Sequence, residues 1–101
     1  MSTQGATRPD VVVKNADGTV HAIEVKNYNL AKASNRGELY KELERQVTSR
    51  VKNLPKGSTQ EIILDVRGRG FSDELVEMVI KNIHLRCDGV YPNIPIKLMT
   101  Y

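Results

Sequence analysis

Apolar and polar positions change rhythm several times along the chain, and each change marks an element. Asp10-Val11-Val12-Val13-Lys14 is a β-branched run, and Val20-His21-Ala22-Ile23-Glu24-Val25-Lys26 alternates in the same way as a half-buried strand. Asn15-Ala16-Asp17-Gly18-Thr19 between them is turn-forming, so the pair reads as a β-hairpin. From about 37 to 54, Leu39, Leu43, Val47, Val51 and Leu54 recur every three or four positions, which predicts a helix halted by Pro55 and Gly57. Gln46 and Arg50 project within or beside that apolar stripe, whereas Lys41, Arg45, Thr48 and Lys52 project away from it. Gln60 to Val66 reads as a buried strand. Ser72 then caps a helix with Leu75, Val76, Val79, Ile80 and Ile83 on its core face and Asp73 and Glu74 in its first turn. The last six residues, 96 to 101, alternate as a final strand. The order strand-strand-helix-strand-helix-strand predicts an α/β fold, a mixed sheet flanked by helices.

The hairpin decides which residues share a face. A three-residue loop, Ala16-Asp17-Gly18, is a type I turn closed by a left-handed residue; Asn15 and Gly18 suit it. It pairs Lys14 with Val20, Val12 with Ala22 and Asp10 with Glu24, and leaves Lys26 on that same face. A two-residue Asp17-Gly18 loop slips the register by one and sends Asp10 to the opposite face. In the first register two carboxylates stand with Cβ atoms roughly 5 Å apart, where like charges repel unless a cation lies between them.

Composition narrows the setting. With 101 residues the chain has room for one domain, 1–101, in which residues 1–8 are expected to be flexible. The net charge of +3 permits a nucleic-acid partner without requiring one. No run of about 18 apolar residues suggests a membrane segment, so a soluble protein is expected. The single Cys87 excludes an internal disulfide, and the isolated His21 and His84 match no zinc spacing. Cys87 is expected to be a buried small residue near a helix end.

Pro9-Asp10, a spacer, and Glu24-Val25-Lys26 together resemble the signature of the PD-(D/E)XK nuclease superfamily over about the first half of the chain. The resemblance implies a restriction-endonuclease-like core and a metal-dependent nuclease. Asp10 and Glu24 would hold Mg²⁺ or Mn²⁺, and Lys26 would orient or deprotonate the attacking water and stabilise developing charge. Several lineages of the superfamily carry a glutamine on the helix after the catalytic strand, and Gln46 resembles it in placement. Arg50, together with Arg67 and Arg69 in the glycine-rich Arg67-Gly68-Arg69-Gly70 loop, are candidates for phosphate contacts, with Tyr28 as a base-stacking candidate; each equally suits a solvated or sheet-covering role. The superfamily core usually opens with a helix and a further strand, so with eight residues before Pro9 it is expected to be N-terminally trimmed here or part of a larger polypeptide. Glu42, on the margin of the helical stripe, is a possible substitute ligand.

In its compactness the chain resembles the C-terminal toxin modules of contact-dependent growth inhibition and related polymorphic toxin systems. That implies delivery by a secreted protein into a target-cell cytoplasm, tRNA or DNA as substrate, and a cognate immunity protein as partner. Two other classes fit the sequence: a non-catalytic nucleic-acid-binding module using basic side chains, and a protein-interaction domain working through an exposed sheet edge.

Overall fold

The computed structural model describes residues 10–27, 29–30, 32–67 and 72–100. The elements follow in the order β1 (Val11–Lys14), β2 (Val20–Lys26), α1 (Ala33–Asn53), β3 (Thr59–Asp65), α2 (Asp73–Cys87) and β4 (Ile96–Met99). They form an α/β fold around one four-stranded mixed sheet in the order β1-β2-β3-β4, antiparallel between β1 and β2 and parallel across β2, β3 and β4. Each parallel step needs a crossover, and α1 and α2 supply the two.

The hairpin turn takes the three-residue form. Gly18 has φ 90 and donates its N–H to the Asn15 carbonyl at 3.1 Å, while Asn15 N–H reaches the Thr19 carbonyl at 2.9 Å. A left-handed residue costs little only as glycine, which is why the turn closes there. The Asp17 carboxylate accepts from the Thr19 backbone and hydroxyl, and those bonds hold its pKa below the usual carboxylate value. The resulting register pairs Lys14 with Val20 and Val12 with Ala22.

The core lies between the sheet and the two helices. Ile62 and Leu64 of β3 pack with Leu39, Leu43 and Val47 of α1 and with Val79, Ile83 and Cys87 of α2. Ser72 caps α2, its hydroxyl accepting from Leu75 N–H at 3.1 Å. Burial, followed by the Glu44 and Asp88 carboxylates, pushes the Cys87 thiol up to about 11, so it serves as a small apolar residue.

Three boundaries differ from the pattern. Helix α1 begins at Ala33, four residues ahead of the apolar stripe, because side chains anchor its polar first turn: Arg36 donates to the Leu30 carbonyl at 2.7 Å and Asn35 to the Asn29 carbonyl at 3.2 Å. Val51 is 47% exposed, since at about 100° per residue the stripe rotates from Val47 onto Arg50. The last strand ends at Met99, and Tyr101 lies outside the described residues. Among the described residues no helix is long and apolar enough to cross a membrane.

Candidate functional site

Strand β2 turns Ala22, Glu24 and Lys26 into the protein, placing two charged residues where an amphipathic strand normally buries apolar ones. Helix α1 meets them with a polar stripe of its own. Glu42, Gln46 and Arg50 follow one another at four-residue intervals and so share a face, next to the apolar Leu39, Leu43 and Val47.

Glu24 is held by cations from two elements. Its Oε1 accepts from Arg50 at 2.7 Å and its Oε2 lies 3.0 Å from Lys26 Nζ, with the three side chains only 7%, 3% and 9% exposed. Lys26 bridges onward to Glu42 Oε1 at 2.6 Å. Glu42 is 35% exposed and opens the network to solvent at a depression shared with Glu38, Lys41 and Arg45. Burial works against the Lys26 ammonium, but the hydrogen bonds and charges of Glu42 and Glu24 outweigh it, and the net pKa lies above the ordinary lysine value. In this geometry Lys26 is a proton-bearing cation at neutral pH, suited to stabilising negative charge and not to deprotonating a water.

One step beyond the last paired residues of the hairpin, Val11 and Ile23, the register brings Asp10 opposite Glu24. Asp10 is exposed, and its Oδ2 accepts from the Val25 backbone N–H at 2.8 Å, supplying an acceptor where the β1 ladder ends. Gln46 is buried beside the cluster on the inward face of α1. The structure thus brings Asp10, Glu24, Lys26, Gln46 and Arg50 to one region.

Arg67 stands apart. It folds back on the end of β3 in a bidentate pair with Asp65, Nε to Oδ1 at 2.9 Å and Nη2 to Oδ2 at 2.8 Å. Tyr28 and Arg69 lie outside the described residues. The periodicity that placed Gln46 and Arg50 inward also carried the signal for Glu42 as a partner of Lys26. A second polar cluster had no such signal: His21 lies 2.6 Å from the Thr59 hydroxyl and 2.9 Å from Glu61, and Lys97 pairs with Glu61 from β4 at 2.9 Å. Those contacts depend on parallel pairings that join residues about forty positions apart. His84 donates to or accepts through no carboxylate; its Nε2 meets the Ile94 carbonyl at 2.9 Å.

Mg²⁺ takes oxygen ligands and is commonly held by one or two carboxylates with water and substrate phosphate completing its shell. Among the described residues no group of three or more His, Cys, Asp and Glu is arranged to hold a metal ion. Asp10 and Glu24, opposed across the hairpin, are of the right donor type and number for such a minimal site, and Glu42 is a third oxygen donor beyond Lys26. The residues therefore fit Mg²⁺, at the cost of loosening the hold of Lys26 and Arg50 on Glu24. Comparison with known proteins returns no match: no protein-family model, no curated protein and no solved structure.

Proposed function

We propose that the chain is a metal-dependent endonuclease with a restriction-endonuclease-like core, hydrolysing phosphodiester bonds in tRNA or DNA. The observation that carries the reading is the hairpin register, which sets Asp10 opposite Glu24 with Lys26 on the face of Glu24. Like charges opposed on a strand pair destabilise it, and a site that recruits a cation gives that arrangement a use.

When bound by Asp10 and Glu24, Mg²⁺ supplies Lewis-acid polarisation of the scissile phosphate. The chain's own cations do the rest. Lys26 Nζ keeps its proton and donates to the charge that builds on the phosphoryl oxygens, and Arg50 adds a planar donor pair matched to phosphate geometry. Gln46 offers a neutral amide able to hydrogen-bond water or substrate. Water oxygen bonds to phosphorus as the bridging P–O bond breaks, and the leaving oxygen takes a proton.

The test is an incubation of the purified protein with mixed tRNA and plasmid, with and without EDTA. Cleavage that EDTA abolishes, and that Asp10→Ala, Glu24→Gln and Lys26→Ala each lose while folded, supports the reading; full activity in all three variants sinks it. The resemblance to contact-dependent toxin modules extends the proposal to a toxin delivered into target cells and blocked by an immunity protein. One observation favours a second reading, a non-catalytic nucleic-acid-binding module. Both Glu24 oxygens are engaged by cations and Asp10 caps the ladder, an arrangement that is also complete as a structural ion network. That module would bind nucleic acid in EDTA, with an affinity falling steeply with salt, and would turn nothing over.

A further inference from the structure

We infer that Arg50 and Lys26 hold Glu24 against divalent cations until a phosphodiester backbone takes them over, so that metal and nucleic acid bind cooperatively. The inference rests on the nuclease reading and concerns how that site is regulated. Its basis is that each Glu24 oxygen already has a cation, Arg50 Nη2 at 2.7 Å on Oε1 and Lys26 Nζ at 3.0 Å on Oε2. A dication entering beside two positive charges at such distances is repelled by both, and inside a protein that repulsion is weakly screened. Glu24 turns fully to a metal only as the two cations give it up.

The cations cannot simply be released. Arg50 is 3% and Lys26 9% exposed, so a positive charge separated from Glu24 there carries a desolvation penalty. A phosphate removes that penalty, because a guanidinium binds phosphate with the same paired geometry it uses for carboxylate. Glu42, 2.6 Å from Lys26, retains the ammonium in part, so Arg50 is the more sensitive probe. Nucleic acid therefore frees Glu24 for metal, and by linkage metal raises the affinity for nucleic acid by the same factor. Coupling of this kind is typically about 5- to 150-fold. The site would stay metal-poor at low metal concentration until substrate arrives.

The experiment measures Mn²⁺ binding from the free-ion EPR signal, with and without an oligonucleotide carrying cleavage-resistant phosphonate linkages, and subtracts metal bound by the oligonucleotide alone. Wild type, Arg50→Gln and a control, Arg45→Gln at an exposed position on α1, are compared. Arg50→Gln should bind Mn²⁺ about tenfold tighter than wild type without oligonucleotide. In wild type, oligonucleotide should raise Mn²⁺ affinity about tenfold and Mn²⁺ should raise oligonucleotide affinity equally, a factor that shrinks in Arg50→Gln and persists in Arg45→Gln. Equal Mn²⁺ affinity in wild type and Arg50→Gln, or equal tightening in Arg45→Gln, overturns the inference and leaves the nuclease reading standing. Failure of every protein to bind Mn²⁺, with or without oligonucleotide, overturns the nuclease reading itself. Should Arg50→Gln not fold, Lys26→Gln carries the same expectation in the same direction, and its failure to tighten Mn²⁺ binding overturns the inference.

Discussion

Glu24→Gln keeps the shape of the side chain and removes the negative charge between Arg50 and Lys26. An exposed ion pair is worth about 0–1 kcal/mol, but removing one member of a buried pair costs about 3–5 kcal/mol, because the remaining charge loses its compensation inside the protein. Glu24, Arg50 and Lys26 are each less than a tenth exposed, which puts this network in the second class. The Lys26–Glu42 contact belongs nearer the first, since Glu42 is a third exposed. The expected loss is therefore about 3 kcal/mol or more, from a total that for small domains is about 5–15 kcal/mol. For a domain of this size that corresponds to a fall in Tm of at least about 12 °C. Urea unfolding followed by far-UV circular dichroism at pH 7 gives the value directly. Glu24→Leu combined with Arg50→Met should recover much of the loss, because replacing a buried pair by apolar groups is often neutral. A Glu24→Gln protein within 1 kcal/mol of wild type would refute the reasoning and mark the pair as hydrated. The same number governs the activity test, which for Glu24 variants must be run well below their Tm.

Two further predictions concern the frame around the site. Gly18→Ala should cost about 1–2 kcal/mol in urea unfolding, a pure backbone effect, since a Cβ at Gly18 meets nothing within 4 Å yet φ is 90; a loss below about 0.5 kcal/mol would show that the turn relaxes to another form. Glu61 is held below its ordinary pKa first by the hydrogen bond from His21, then by that from Lys97, so its contribution to stability is present above the ordinary value of 4.5 and is lost as pH falls through the depressed one. Glu61→Gln should accordingly flatten the decline of stability on the acid side of pH 4.5, and superimposable wild-type and variant curves there would contradict it.

Local chemistry was legible and long-range pairing was not. Asn15, Asp17 and Gly18 encode a turn whose length dictates the pairing of every residue up the hairpin, so the opposition of Asp10 and Glu24 follows from three residues and counting. Helical periodicity turned Gln46 and Arg50 inward in the same way. What a polar side chain does once inside was harder to read. Asp10 was expected to face Glu24 with its carboxylate, and the structure gives that carboxylate a backbone partner at Val25. Arg67 read as a free basic residue of a glycine loop, yet Asp65 two positions earlier takes its guanidinium. No turn encodes the register of β2 on β3; a helix of 21 residues lies between them, and the His21, Thr59 and Glu61 contacts follow only from that packing.

The hairpin and its counter-charges come from parts of the chain that assemble on different terms. Strands β1 and β2 are joined by a short turn, and hairpins form in about 1–10 µs. Arg50 lies 26 residues beyond Glu24 and reaches it only when α1 has crossed over the sheet. Until then the nascent hairpin carries Asp10 and Glu24 facing each other without compensation, and its own register works against it. Docking of α1 relieves that repulsion as well as burying Leu39, Leu43 and Val47, so the crossover helix is drawn to the sheet by charge and by apolar contact together. The order of events on the folding pathway is in this way tied to the residues of the candidate site, and substitutions at Arg50 should slow the capture of the hairpin as well as weaken the finished fold.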